Sequence, residues 1–214
     1  INQLLDTTQE FKTKFSEILQ KSIDKDHIKL EDMQFYSIEF KFFGNLCNLQ
    51  CLMCHPHQSS SIASDWKKRG KWNKQTHFNL YREYTDEQKE AFYKEMDKML
   101  PNTLQVKFTG GEPLMNEDIL DLVQYMVDKG YSETIELTMI TNGTKLPQRF
   151  VDVITQFKRV KCMVSTDGVF EYNDYQRVNS DFFKVDKTIK KLKALDNVEV
   201  LLGSAITAVN IGNM

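Results

Sequence analysis

No stretch of this sequence stays apolar for anything near the roughly 20 residues that a membrane-spanning helix needs. A signal peptide is also missing: the opening run INQLLDTTQEFKTKF is amphipathic and broken by charges. Nor does charge of one sign dominate. The net charge is -2, which gives no electrostatic means of capturing nucleic acid or an acidic membrane. Neither kind of partner is expected. There is no internal repeat and no low-complexity tract. Cysteine is scarce, with four among 214 residues. A chain of this length buries a sizeable core without disulfides. With no secretion signal, its thiols are expected in a reducing cytoplasm, where a structural disulfide is not expected. An initiator methionine is missing too. The chain starts at Ile1 and stops at Met214 after an apolar run, as expected of a piece of a longer polypeptide, although processing also removes the first Met.

What is present is a rhythm. Residues 1–33 read as a helical extension, with Leu4, Leu5, Phe11, Phe15, Ile18 and Leu19 at helical spacing. From residue 34 to 214 the chain reads as one α/β core. QFYSIEFKFF (residues 34–43) is rich in β-branched and aromatic residues and reads as a strand. Residues 55–85 are polar, hold Trp66 and Trp72, and read as a long insertion. Four helix-strand alternations follow. TDEQKEAFYKEMDKML is a helix with Thr85 or Asp86 as N-cap, and TLQVKF a strand. NEDILDLVQYMVDKG is a helix that Gly130 closes, and ETIELTMIT a strand. PQRFVDVITQF is a helix and RVKCMVS a strand, then KVDKTIKKLKALD a helix and NVEVLLGSAITAVN a last strand. Five strands alternating with helices predict βαβ units and a parallel sheet.

Every polar or glycine-rich cluster falls just after a strand: CNLQCLMC, TGGEP, TNG and STDG. In parallel α/β architectures the C-terminal strand ends face one way, so these clusters are expected at one mouth. The first holds Cys47, Cys51 and Cys54 inside eight residues, spaced C-x3-C-x2-C. Two chemistries suit such thiols. A zinc site would recruit His55 or His57. An iron–sulfur cluster with three protein thiolates would leave one iron free for a small molecule. Cys162, inside a strand between apolar neighbours, is expected in the core. His55 and His57 read as solvated loop residues. Trp66, Trp72, Lys67, Lys68, Arg69 and Lys71 form a basic, aromatic patch that reads as a solvated face, with gripping of an anionic or peptide substrate as its functional alternative.

The cysteine spacing after a first strand resembles that of the radical S-adenosylmethionine (radical SAM) enzymes. FTGGEPLMNEDI is similar to that family's glycine-rich segment after the second strand, ITNGT to the segment after the third, and VSTDGVFEYNDYQRV to its S-x-D-G…R segment after the fourth. The resemblance runs from about Phe35 to the end. It implies a partial (β/α)6 barrel, a [4Fe-4S] cluster on Cys47, Cys51 and Cys54, and S-adenosylmethionine bound beside it. By the same match the cofactor contacts fall to Met53, Gly110, Gly111, Glu112, Thr141, Asn142, Ser165, Asp167, Arg177 and Asn210. Gly110 and Gly111 suit close backbone approach to the cofactor, Glu112 is placed to receive its ammonium, Arg177 its carboxylate, and Met53 and Asn210 its adenine. The position of Met53 is commonly aromatic in the family, and its thioether packs by dispersion instead.

The resemblance further implies reductive cleavage of S-adenosylmethionine to a 5′-deoxyadenosyl radical that abstracts hydrogen from a substrate, fed by an external electron donor. The pattern is closest to relatives that modify peptides or proteins. The alternatives are a 7-carboxy-7-deazaguanine synthase-like enzyme and a binding module that holds zinc or a cluster without chemistry. The family barrel has six strands and this sequence reads as five. The remainder of a longer chain is therefore expected to be needed for solubility or full activity.

Overall fold

The structure is a computed structural model. It describes residues 33–41, 44–71 and 83–212, with residues 13, 16, 17 and 20 besides. The expected extension over 1–33 lies almost wholly outside the described residues, although the four isolated positions are helical. The end of the expected first strand, residues 42–43, and Trp72 also lie outside them.

Seven strands are present among the described residues: β1 (Phe35–Phe40), β2 (Gln50–Cys51), β3 (Thr103–Phe108), β4 (Glu136–Thr141), β5 (Val160–Ser165), β6 (Arg177–Val178) and β7 (Val198–Gly203). Six described helices accompany them: α1 (Ser60–Lys68), α2 (Asp86–Met99), α3 (Glu117–Asp128), α4 (Gln148–Ile154), α5 (Phe170–Gln176) and α6 (Phe182–Lys193). Five strands form one parallel sheet in the order β1-β3-β4-β5-β7, and β2 pairs with β6 in a separate ribbon. Strands that neighbour one another in chain order, with helices between, are wound as in a (β/α) barrel; a doubly wound sheet reverses direction midway. The architecture is a partial barrel of α/β class, as expected.

The chain divides into two compact units, Ile1–Ile38 with Glu83–Val106, and Glu39–Arg82 with Lys107–Met214. In the first, α2 begins on a capping box. Gln88 N–H donates to the Thr85 hydroxyl, and Thr85 N–H donates to the Gln88 side chain. Met96 on this helix and Leu100 after it are buried. In the second unit, β4 is buried along nearly its whole length, which is why ETIELTMIT lacks a clean alternation. Leu137 and Met139 of β4, Cys162 and Val164 of β5, and Val185 and Leu192 of α6 are all inaccessible. A Cβ on Gly143 would meet Val164 and Val185, so α6 covers this face of the sheet. Each such side chain contributes about 1.5–3 kcal/mol by leaving water. Cys162 is part of this core, and burial pushes its thiol up to about 12. It packs as a small apolar residue, as expected.

Three elements add to or depart from the sequence reading. The last strand, expected over residues 197–210, ends at Gly203. The long insertion read over residues 55–85 contains α1. Ser59 starts that helix by accepting from Ile62 N–H, and Lys67 and Lys68 sit in its last turn. The segment FEYNDYQ, read only as part of a motif, forms α5. Among the described residues no helix is long and apolar enough to cross a membrane.

Candidate functional site

The site lies in the second unit and is built from the cysteine loop outward. Gly44 to Gln58 leaves β1 and would be a floppy surface loop without anchors. Its anchors are buried polar groups. Asn45, fully buried, donates to Pro56 O at 2.8 Å. Ser60 N–H donates back to Asn45 O at 2.7 Å. The Ser60 hydroxyl accepts from Cys47 N–H and donates to Cys47 O, both at 3.1 Å. The Ser59 hydroxyl donates to Leu49 O at 2.6 Å. The first turn of α1 thus holds the loop that carries the thiols. Ser59 and Ser60 escaped the sequence reading, although a serine run before an apolar residue is a helix-start signal.

A second anchor comes from the other end of the chain. In the β2–β6 ribbon Cys51 pairs with Arg177 and Gln50 with Val178. Leu52 N–H donates to Gln176 O at 2.8 Å. A two-residue strand carries no periodic signal, so this tie was not legible in advance. Its result is that Arg177 Nη1 donates toward Cys51 Sγ at 3.9 Å. Arg177 Nε lies 2.7 Å from Asp167 Oδ2, and both side chains are almost inaccessible.

The TGGEP turn after β3 is the third anchor. Glu112 N–H donates to Leu46 O at 2.7 Å. A Cβ on Gly111, at φ +52°, would stand 2.5 Å from that same carbonyl. The missing Cβ at Gly111 thus admits the cysteine loop at close quarters. A Cβ on Gly110 would meet the Lys41 side chain. The Glu112 carboxylate is buried and accepts from Thr141 Oγ1 at 2.6 Å, from Asn142 N–H at 2.6 Å and from Leu114 N–H at 3.1 Å. Burial pushes its carboxyl up to about 7, against the pull of those bonds. Expected to take an ammonium, it already braces the turns after β3 and β4.

Asn142, held by Glu112, sends its Nδ2 to Asn48 Oδ1 at 3.1 Å and toward Cys47 Sγ at 3.8 Å. Its Oδ1 accepts from Thr144 N–H and the Thr144 hydroxyl. Thr141 is spent on Glu112 and on accepting from Gly143 N–H. Asp167 accepts from Ala205 N–H at 2.8 Å and pairs with Arg177. Asn210 is fully buried. Its Nδ2 donates to Asp167 O and Ala205 O, and its Oδ1 accepts from Thr207 N–H and Oγ1. An adenine contact by that side chain would have to displace one of these bonds. Ser165 ends β5 half-buried, opposite Gly203. Met53 stays 36% exposed, open to a stacking partner.

The thiols are unequal. Burial raises Cys47. The Cys51 and Cys54 thiols act on one another, which holds Cys51 far above the ordinary range and draws Cys54 below it. His55 and His57 are exposed, and the His55 ring lies 6.0 Å from that of Trp66. Among the described residues no three His, Cys, Asp or Glu side chains are arranged to hold a single metal ion. The donor set fits an iron–sulfur cluster: three thiols on one loop, with an amide and a guanidinium aimed at two of the sulfurs. A neutral S–H accepts weakly, whereas an anionic sulfur requires such donors.

Residues 42–207 match the family described as Radical SAM superfamily. The chain is 27% identical over 134 residues to an uncharacterized protein of Methanocaldococcus jannaschii, covering 62% of this chain and 39% of that protein. It is 30% identical over 102 residues to a protein of Thermococcus kodakarensis named "Probable GTP 3′,8-cyclase", covering 48% of this chain and 26% of the other. Its fold is similar to that of SuiB from Streptococcus suis. The structure of SuiB bound to precursor peptide SuiA aligns with a TM-score of 0.54 at 14% identity, over 84% of this chain and 35% of that one. SuiB bound to S-adenosylmethionine aligns with a TM-score of 0.53 at 15% identity, over 83% of this chain and 36% of that one. The chain therefore spans well under half the length of each of these relatives.

Proposed function

Because the chain belongs to the radical SAM superfamily of enzymes, we propose that it holds a [4Fe-4S] cluster on Cys47, Cys51 and Cys54 and uses S-adenosylmethionine to start radical chemistry on a peptide or protein. When bound, the cluster and S-adenosylmethionine together supply a 5′-deoxyadenosyl radical able to abstract hydrogen from an unactivated carbon.

The protein's own part is to position and to shield. Three cysteines would hold such a cluster with one iron left for a small-molecule ligand. Asn45, Ser59 and Ser60 fix their loop against α1. The Glu112 carboxylate ties the TGGEP turn to the TNG turn. That leaves backbone groups of Gly110 and Gly111, together with Met53, Ser165 and the Arg177 guanidinium, as the groups offered to the cofactor. The observation that carries this reading is the convergence of side-chain donors from Asn142 and Arg177 on two of the three loop sulfurs. A peptide substrate is supported by the fold likeness to SuiB, itself described with a precursor peptide. A nucleotide substrate is the second reading, favoured by the 30% identity to the GTP cyclase relative.

The test is anaerobic. The protein is loaded with iron and sulfide and given S-adenosylmethionine and dithionite, with 5′-deoxyadenosine measured by mass spectrometry. Product that disappears in Cys51→Ala is the expected result. Zinc in place of iron in protein isolated without oxygen would overturn the reading. Deuterium transfer into 5′-deoxyadenosine from labelled GTP, rather than from labelled peptide, would favour the nucleotide.

A further inference from the structure

Two features of the site are built alike, and neither is explained by holding S-adenosylmethionine. Each has a buried acid, a donor that the acid holds, and a thiol of the cysteine loop. Glu112 accepts from Asn142 N–H at 2.6 Å, and Asn142 Nδ2 points at Cys47 Sγ at 3.8 Å. Asp167 pairs with Arg177 Nε at 2.7 Å, and Arg177 Nη1 points at Cys51 Sγ at 3.9 Å. The second arrangement is fixed by the backbone, since Cys51 and Arg177 are register partners across the β2–β6 ribbon. Burying a guanidinium is costly, and Asp167 offsets only part of the cost. A donor kept dry against a sulfur is of use when that sulfur carries negative charge.

We propose that Asn142 and Arg177 tune the reduction potential of the cluster, each by hydrogen bonding one ligand sulfur; this rests on the cluster reading given above. Reduction adds one electron, and the added negative charge spreads onto the sulfurs. A donor N–H or a cation beside them stabilises the reduced form more than the oxidised one, which raises the potential. No proton moves to sulfur. Both residues are thus positioning residues for the electron, and Arg177 is committed to the cluster side before any cofactor arrives. That differs from a role in which Arg177 serves the S-adenosylmethionine carboxylate alone.

The experiment is a redox titration of the full-length protein, isolated anaerobically and without added S-adenosylmethionine. The titrant supplies the electron, and the reduced cluster is read by electron paramagnetic resonance. Iron and sulfide are counted in parallel. Arg177→Met should move the potential downward by about 59 mV, a tenfold change in the oxidised-to-reduced ratio for one electron. Arg177→Lys keeps the charge but loses the fork, and should move it less. Asn142→Asp keeps the acceptor for Thr144 and replaces the donor facing Cys47, so it should also move the potential downward. Asp181→Ala, which removes the N-cap of α6, weakens the fold away from the thiols and should leave the potential where it was. Cluster present with unmoved potentials in all three site variants would overturn the inference. Folded variants that all fail to retain iron would make these residues cluster holders rather than tuners, which also overturns it. No cluster in the unmutated protein would instead sink the functional reading on which the inference rests.

Discussion

Glu112 shows how one buried carboxyl couples the site to pH. Burial lifts its pKa from the ordinary 4.5 to about 7, and the three donors around it only moderate the rise. The folded protein then keeps a proton that the unfolded chain releases between those values. Stability from this group is complete below pH 4.5 and is lost as pH climbs to about 7, by up to about 3 kcal/mol. Glu112→Gln should remove that slope. Urea unfolding of both proteins at pH 5 and pH 7.5 checks it, and equal slopes would contradict it. Gly111 makes a steric prediction. At φ +52° with the Leu46 carbonyl 2.5 Å from any Cβ, Gly111→Ala should cost about 1–3 kcal/mol and loosen iron together with the fold. Gly130→Ala is the control. It shares a positive φ but meets no atom within 4 Å, so it should destabilise without releasing iron. Thermal unfolding and iron content, measured together, separate the two.

The first turn of α1 carries the element-scale prediction. Ser59 caps the helix and also bonds Leu49 O, so Ser59→Ala should cost about 1–2 kcal/mol. It should also speed iron loss to a chelator, because the same serine holds the cysteine loop. Unchanged chelation kinetics would show that the loop stands without it. At this scale the sequence was legible where an element is long, periodic and capped: α2 with its Thr85 box, α3 closed by Gly130, and the strands of the sheet are found where expected, except that β7 stops at Gly203 rather than running on to Asn210. The β2–β6 ribbon, α1 and α5 were not legible. Two-residue strands show no alternation, and polar helices of seven to nine residues owe their order to neighbours rather than to their own pattern. The cysteines announced the site through spacing alone. What their neighbours do was not readable, because Glu112, Thr141 and Asn210 spend their polar atoms on partners 29 or more positions away or on the turns beside them, and Asp167 on Arg177 and on Ala205, 38 positions on; sequence spacing is silent on such bonds.

For the whole molecule, protection should follow the sheet from its middle outward. β4 is buried along its length, whereas Leu202 on β7 is 63% exposed. Amide hydrogen exchange should therefore be slowest in β4 and β5 and fastest in β7. Equal rates across those strands would mean that the sheet is covered on its β7 side in solution.

The in-order sheet also has a consequence during synthesis. Each βα step can pack onto the one before it as the ribosome delivers the chain, because neighbours in the sheet are neighbours in sequence. The thiol loop cannot be completed in this way. Cys47 waits for a partner 95 positions later, and Cys51 for one 126 positions later. At the usual pace of translation that wait is on the order of 10 s. Throughout it the nascent chain presents three uncovered thiols on a partly built barrel. If the loop takes the proposed cluster, the window in which iron can be delivered, or oxygen can do damage, is set by how far downstream Arg177 is encoded.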